Sequence, residues 1–304
     1  MNWKPVTTLL LKKLLILKKM KLSNKLLIAF ASSLIVIPLL GMVIVSATQY
    51  KKGTYQQVDQ KIENFSTPTK NMVSIDLKSS FQSINIADGK RLVLKIQLIK
   101  DDKFGIKVPN EFKELVSTAV DANGQLKISV KNFPNEDREG RSYYLNILVY
   151  APNVNALTVD GANDLIIAAT SDSLTLNVKN TETIGFEGDT KIKSLKLNTI
   201  DVNSINFREN NIESVNLKLF NTNLSMEGNS FENVSITSAG NCTIEIRGGD
   251  NKDKKNSIKN LALNTSDFAD VKFENMEIAN CTGKLSDKTL VQMPAVNLNQ
   301  MYKK

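Results

Sequence analysis

The chain has 304 residues, with 39 lysines and arginines, 31 aspartates and glutamates, and no histidine. Without histidine, Ser-His-Asp and Cys-His nucleophile systems, histidine metal sites and the commonest general base are excluded. Nine of the lysines lie in residues 1–52, which hold no acidic residue, so 30 basic and 31 acidic residues remain beyond them. A nucleic-acid interface needs Lys and Arg clustered on a folded face, so we expect no nucleic-acid partner.

Residues 26–47, LLIAFASSLIVIPLLGMVIVSA, predict one transmembrane helix. A helix of this length rises about 33 Å, enough for a hydrocarbon core of about 30 Å. Seven lysines precede the span and two follow it within residues 1–52, which predicts a cytoplasmic N-terminus. Residues 1–25 are then a basic cytoplasmic segment, and the chain can start at Met1 or at Met20.

A cleaved signal peptide is the alternative interpretation of this region. Val45, Ser46 and Ala47 form an acceptable small-residue cleavage site. The apolar run is longer than the roughly 7 to 15 residues of a signal sequence, which favours a retained anchor. Both interpretations place the rest of the chain outside the cytoplasm.

Residues 48–71 are polar and lack a sustained apolar period, which predicts a tether. Residues 72–150 then alternate polar and apolar side chains, as in FQSINI, GQLKISV and YYLNILVY, and predict an N-terminal β segment. One stretch, PNEFKELVSTAVDANG at residues 109–124, predicts a short helix that ends at Asn123 and Gly124.

Residues 151–300 contain a repeat of about 20 residues. Each repeat opens with two apolar residues two positions apart, has a second such pair about ten positions on, and ends with one apolar residue. The first residues of the successive repeats are Leu157, Leu174, Leu195, Val215, Val234 and Leu261. Three short inward segments per repeat predict one rung of a coil, with rungs stacked in parallel about 4.8 Å apart around one apolar column.

Residues that favour turns separate the inward segments. Six positions into the repeats stand Asn163, Asn180, Asp201, Asn221, Gly240 and Asp267. Two positions after the second pair stand Gly188, Gly228, Gly248 and Asn275, with Glu209 as the exception. Gly, Asn and Asp all accept turn or left-handed backbone conformations.

The predicted fold is therefore all-β: a single-stranded parallel β-helix of about six or seven rungs, after one transmembrane helix and an N-terminal β segment. The right hand is the default of parallel crossovers, and a β-sandwich with regular strands is the alternative. The longest repeat carries the polar insertion GGDNKDKKNS at residues 248–257. Because surface loops are cheap to shorten, deleting residues 250–256 is expected to leave stability unchanged.

No catalytic, cofactor-binding or metal-binding residue is predicted. Asp201 and Asp267 share a repeat position but lie three rungs apart, about 14 Å at the strand spacing. Asp160 can approach Asp164, and Asp267 can approach Asp270. Aspartate at such turns more often serves the backbone than catalysis.

The cysteines, Cys242 and Cys281, both occur in the sequence NCT. In the predicted register they lie on different sides of the coil and about two rungs apart, roughly 10 Å or more. A disulfide requires a Cα separation below about 7 Å. The sequence therefore predicts two free thiols, with Cys281 as a small core residue.

The stretch LNILVYAPNVNALTVDGANDLIIAA at residues 145–169 resembles the start of the repeating part of the putative auto-transporter adhesin family with a head GIN domain, found in Bacteroidetes. FQSINI and GQLKISV are similar to earlier strands of that family, and the resemblance covers residues 72–280. It implies a parallel β-helix in a cell envelope and transfers no functional residue. This chain differs in having few Gly and Ser at rung positions and in its anchor, since the family more usually follows a cleaved signal.

Together these features predict a single-pass protein of the bacterial inner membrane with a periplasmic or other extracytoplasmic β-helix. The expected role is non-catalytic: binding, adhesion or envelope structure, with no cofactor, with the membrane contacted through residues 26–47, and with an unknown protein or glycan ligand. The alternative is a carbohydrate-active β-helix enzyme, a polysaccharide lyase or hydrolase. That enzyme would gather at least two carboxylates and a Lys or Arg within about 6 Å in a lateral groove.

Overall fold

The computed structural model describes residues 21–49, 64–131, 143–249 and 255–302. The chain forms two compact units, Met1–Lys61 and Ile62–Lys304, which we call the N-terminal unit and the β unit. The described part of the N-terminal unit is helix α1 (Leu22–Gln49), which includes Pro38. Its stretch Leu22–Val43 has a mean hydropathy of 2.5 and is long and apolar enough to cross a membrane. The predicted span at residues 26–47 lies within α1.

The described part of the β unit, residues 64–131, 143–249 and 255–302, is all-β apart from one short 3-10 turn, Asn110–Phe112, and one terminal helix. Its described strands are β1 (Met72–Asp76), β2 (Ser83–Ile86), β3 (Val93–Lys100), β4 (Gly105–Pro109), β5 (Val116–Val120), β6 (Gln125–Val130), β7 (Tyr144–Ala151), β8 (Ala156–Asp160), β9 (Asp164–Phe186), β10 (Lys191–Arg208), β11 (Asn211–Phe220), β12 (Asn223–Glu227), β13 (Phe231–Ala239), β14 (Cys242–Arg247), β15 (Asn256–Thr265), β16 (Ala269–Glu274), β17 (Met276–Lys284) and β18 (Thr289–Gln292). Helix α2 (Ala295–Tyr302) ends the described chain.

From β9 onward the strands pair in parallel with segments about 20 residues further along the chain. Leu195 pairs with Leu174 on one side and with Val215 on the other, and the column continues through Val234 and Leu261. All five side chains are buried. These pairings confirm the predicted register over the five repeats. The register is readable from the sequence because the inward column must stay apolar while outward residues face water.

The register predicted for the first repeat was wrong by two residues. Leu157 pairs with Leu176 instead of Leu174, and Val159 pairs with Val178. The predicted alignment took Asn163 as the turn residue, whereas the left-handed residue at this turn is Gly161, with φ 69°. A shift of two residues keeps every side chain on its original face, so the inward assignment of Leu157 and Val159 was still correct.

Left-handed residues recur at the turns, at Asn180, Asp201, Asn221 and Gly240, with φ from 48° to 72°. Glu209 stood out in the sequence as the exception at the second turn. It nevertheless has φ 49°, close to the 50° of Asn275 in the corresponding place. A glutamate rarely adopts this conformation by itself, so pairing of the flanking strands imposes it.

Residues 109–124 do not form the predicted helix. After the 3-10 turn, β5 pairs antiparallel with β6. The β-branched residues Val116, Thr118 and Val120 alternate along β5 and favour a strand. Gly124 has φ 70° and closes the hairpin turn, so the signal taken as the end of a helix marks a turn between strands.

Parallel pairing also extends to the N-terminal side of residue 151. Strand β2 pairs in parallel with β8, and β3 pairs in parallel with β7 and β9. Strands β1 and β7 pair antiparallel with β4 on its two sides. The boundary between a β segment at residues 72–150 and a coil at 151–300 stays a prediction.

Residues 64–69, which the sequence assigned to the polar tether, pack onto the β unit. Lys107 is fully buried, and its ammonium donates to the carbonyl oxygen of Thr67 at 2.6 Å and to Thr69 Oγ1 at 3.0 Å. It lies 4.9 Å from the ring centroid of Tyr150, which Phe65 contacts edge-on at 5.4 Å. Residues 64–69 therefore act as a strap held by a buried cation.

We expect a fragment of residues 72–304 to be less stable than one of residues 62–304. Removing the strap exposes Lys107 and Tyr150, removes the bonds from Lys107 to Thr67 and Thr69, and removes the contact of Phe65 with Tyr150. The expected loss is about 2–3 kcal/mol in unfolding free energy, or roughly 5–10 °C in Tm. Thermal unfolding followed by circular dichroism measures it, and residues 53–304 should match 62–304. Equal Tm values for the 62–304 and 72–304 fragments would contradict the strap.

Both cysteines are free and buried, as predicted. Cys281 pairs with Leu261 in the inward column, and Cys242 pairs with Ala269 on another segment. The Cys242 Sγ lies 3.4 Å from the carbonyl oxygen of Ala239. Each thiol therefore fills a small position in the core.

We expect both thiols to resist alkylation in the folded protein. Burial raises the pKa of Cys242 and of Cys281 above that of an ordinary thiol. Because the thiolate is the reactive form, a raised pKa lowers reactivity at pH 8, in addition to the loss of access. Iodoacetamide labelling followed by mass spectrometry should be at least about tenfold slower without urea than with it. A linked Cys242–Cys281 peptide under non-reducing conditions would overturn the register.

Candidate functional site

A lateral groove runs along the side of the β unit on which the third inward segments stack. It consists of two adjacent cavities, of about 640 Å³ and about 590 Å³, that share Glu213 in their linings, and we call these cavities its N-terminal and C-terminal halves. Ile192, Phe231 and Ile258 are buried beneath it. Each of these parallel-paired segments contributes one inward residue between two outward ones to the lining.

Charged residues follow one outward column along the groove. By the strand register these are Asp172, Lys193, Glu213, Glu232 and Lys259. Lys193 Nζ lies 2.7 Å from Asp172 Oδ1, and Lys259 Nζ lies 2.8 Å from Glu232 Oε2. Both pairs are largely exposed, so each contributes little to stability.

The two halves of the groove differ in charge. The N-terminal half is also lined by Lys100 and Lys191, so it holds three lysines with Asp172 and Glu213. The C-terminal half holds Glu213, Glu232 and Glu277 with one lysine. The groove is therefore basic toward one end and acidic toward the other.

The cluster of Asp172, Lys193 and Glu213 comes close to the arrangement expected of the enzyme alternative. Hydrogen bonding to Lys193 lowers the pKa of Asp172, and hydrogen bonding to Asp172, with the charge of Glu213, raises the pKa of Lys193. A general acid needs a carboxyl with a raised pKa, and a lysine base needs a lowered one. Both directions are the reverse of those needed, so the cluster has the electrostatics of a solvated ion pair.

The carboxylates singled out in the sequence serve turns instead of meeting in the groove. Asp160 Oδ1 accepts a bond from Asn180 Nδ2 at 2.7 Å, and Asp201 Oδ1 accepts one from Asn221 Nδ2 at 2.9 Å. Asp267 Oδ2 accepts the backbone N–H of Gly240 at 3.0 Å. The remaining two candidates are Asp164, which accepts from Asn163, and Asp270, which is exposed on β16. Within the described ranges, no group of three cysteines or carboxylates is placed to hold a metal ion.

A second set of polar residues forms a ladder on the outside of the stacked strands. Asn280 Nδ2 donates to Asn260 Oδ1 at 3.0 Å, and Asn260 Nδ2 donates to Asn233 Oδ1 at 3.0 Å. Asn233 Nδ2 continues the ladder to Ser214 Oγ at 3.0 Å. These asparagine amides bond neighbouring parallel strands to one another, so they are structural residues.

The second turn contains buried polar side chains that sequence reasoning missed. Asn256 Nδ2 donates to the carbonyl oxygen of Gly228 at 2.9 Å, and its Oδ1 accepts the Gly249 N–H at 2.8 Å. Thr190 is fully buried and donates to the carbonyl oxygen of Ile167 at 3.1 Å. Thr190 lies two residues after Gly188, and the buried Asn229 directly follows Gly228, which is the available signal; Asn256 lies seven residues after Gly249 and carries no such signal. The predicted insertion at residues 248–257 therefore includes a buried residue, Asn256, next to its end, and its residues 250–254 lie outside the described part of the chain.

Comparisons with known proteins place this architecture in a family. A family model described as "Putative auto-transporter adhesin, head GIN domain" matches residues 80–260. No curated protein matches the chain.

Several solved structures are similar to the chain at low identity. A putative adhesin from Bacteroides fragilis is 17% identical, with 74% of this chain and 96% of that chain covered and a TM-score of 0.44. A putative adhesin from Parabacteroides merdae is 13% identical, with coverage of 72% and 94% and a TM-score of 0.36. A putative lipid binding protein from Parabacteroides distasonis is 14% identical, with coverage of 73% and 96% and a TM-score of 0.34. Because the family model matches well over half of the chain, this protein belongs to the putative auto-transporter adhesin family with a head GIN domain.

Proposed function

We propose that this protein is a membrane-anchored, extracytoplasmic binding protein that holds a ligand in the lateral groove without chemical turnover. In this proposal residues 26–47 anchor it in the inner membrane, residues 1–25 stay in the cytoplasm, and the part of the predicted tether before the strap, residues 48–63, connects the anchor to the strap. The β unit comprises the N-terminal β segment at residues 72–150 and a right-handed parallel β-helix of six or seven rungs at 151–300. The strong apolar helix and the extracytoplasmic family support this placement.

The groove is the observation that carries the proposal. It extends from Lys100 on β3 to Ala279 on β17, so it crosses most of the stacked strands. Rigid stacked repeats present extended surfaces of this kind to partners. The pKa directions at Asp172 and Lys193 favour binding over acid–base catalysis.

Filling the groove should abolish capture of the partner. We expect Ser173→Trp and Ala279→Trp, each at an exposed position lining one half of the groove, to reduce recovery of the partner from envelope extract. Thr237→Trp, at an exposed position of β13 away from the groove lining, is the matched control. The measurement is a pull-down with the β unit, residues 62–304, quantified by mass spectrometry. Equal recovery with all three variants would refute the groove as the binding surface.

The same material tests the enzyme alternative. Under the binding proposal, neutral and acidic polysaccharides incubated with the protein keep their chain length, as measured by size-exclusion chromatography. Depolymerisation that is lost in Asp172→Asn, or in Asp267→Asn or Asp270→Asn, would replace the binding proposal with a lyase or hydrolase.

A further inference from the structure

The N-terminal half of the groove has lysines that are available to a ligand. Lys100 and Lys191 line it, are exposed, and form no salt bridge with any residue of the described ranges. Lys193 is instead held by Asp172, at 2.7 Å. The half thus offers two cations outside any salt bridge, and the charge of one of them, Lys100, also acts on Asp172.

The other lining groups are suited to hydroxyl-rich ligands. The hydroxyls of Thr170 and Ser173 and the amides of Asn153 and Asn155 line the same half, whereas the Ser171 hydroxyl there is bonded to the Ser173 backbone. These groups both donate and accept hydrogen bonds, as sugar hydroxyls do. The volume of about 640 Å³ is within the range of small-ligand sites, about 300–1,000 Å³.

We propose that this half of the groove binds an acidic unit of a polysaccharide, with Lys100 and Lys191 contacting its anionic group. The inference rests on the proposed function, since it names the ligand class of the same groove. A concave cleft admits a chain, whereas a flat membrane surface cannot enter it. Glu213 lines both halves, whereas Glu232 and Glu277 line the C-terminal half alone and repel an anion there, so the acidic unit occupies the N-terminal half.

The proposal predicts that removal of the Asp172 charge tightens the binding of an acidic ligand. Its carboxylate lies beside the site, competes with the ligand for Lys193 and repels the incoming anion. Asp172→Asn removes that competition and frees a third lysine. Binding of an acidic ligand should therefore become tighter, although the substitution removes an ion pair.

The test uses the full chain in nanodiscs of neutral lipid and calorimetric titration with oligogalacturonate, a linear polymer that carries carboxylates. We expect Lys100→Gln combined with Lys191→Gln to weaken binding at least about tenfold and Asp172→Asn to tighten it about threefold, with both effects shrinking at high salt. Lys196→Gln combined with Lys218→Gln is the matched control at exposed lysines outside the groove lining. This control pair should leave the Kd unchanged.

Four outcomes overturn the inference: no binding of oligogalacturonate, equal weakening by the control pair, equal binding of a neutral dextran, or weaker binding by Asp172→Asn. Preference for polyphosphate or for vesicles of anionic lipid over oligogalacturonate overturns the polysaccharide assignment as well. Capture of an envelope partner that is blocked by the tryptophan variants but unaffected by the lysine variants refutes this inference and leaves the proposed function standing. Oligogalacturonate binding without loss in the tryptophan variants refutes the groove itself.

Discussion

Leu217→Asp is expected to unfold the β unit or destabilise it by about 5 kcal/mol or more. Leu217 is fully buried and stacks between Leu197 and Ile236 in the inward column. The substitution removes a core side chain and places a charge where no water can reach it, and both effects are costly. Since a domain has only about 5–15 kcal/mol of stability, this one change uses much of it.

Lys218→Asp is the matched control, because Lys218 is the next residue along the strand and is exposed. Its effect should stay within about 0.5 kcal/mol. Urea unfolding of the 62–304 fragment, followed by circular dichroism, measures both variants. If Leu217→Asp leaves no folded protein, Leu217→Ala should still fold and lose about 3 kcal/mol. Similar losses for Lys218→Asp and the Leu217 variants would show that the register is wrong.

The second large effect is expected at Asn256. Replacing this buried side chain by leucine leaves the Gly249 N–H and the Gly228 carbonyl without partners. Both bonds are only partly buried, so each lost partner costs about 1 kcal/mol, and Asn256→Leu should lose about 2 kcal/mol of unfolding free energy. Thermal and urea unfolding measure the loss.

Lys255→Leu is the control for Asn256→Leu. Lys255 is exposed, and its ion pair with Glu277 at 2.9 Å is solvated, so the expected loss is below about 1 kcal/mol. The same contrast corrects the deletion predicted from the sequence. Removal of residues 250–254 should be nearly neutral, whereas removal of residues 250–256 should cost as much as Asn256→Leu. If the two deletions are equally stable, the side-chain bonds of Asn256 do not stabilise the turn.

The sequence by itself determined which side chains face the core. Inward positions of stacked strands tolerate only apolar residues. Leu195, Val215 and Val234 can therefore be recognised as core positions from the period and spacing of apolar residues in the sequence. The same reasoning predicted two free thiols, because Cys281 occupies an inward-facing position of one segment and Cys242 lies on a different segment. An apolar run in α1 of sufficient length is likewise visible in composition alone. Each of these properties depends on local pattern, and local pattern is what a sequence displays.

Only the tertiary structure decided how the polar residues are used. Strand or helix at residues 109–124 depends on pairing between β5 and β6, which intrinsic propensity does not specify. The left-handed conformation of Glu209 is imposed by the pairing of its neighbours. The register predicted for the first repeat was wrong by two residues because alternation has a period of two and looks the same after such a shift. From the sequence alone, Lys107 is expected to be a surface residue, and only the structure shows that the strap covers it. The groove, likewise, brings together side chains from strands that are far apart in the chain. Outward-facing positions accept nearly any residue because they contact solvent, so they show no pattern from which the groove could be predicted.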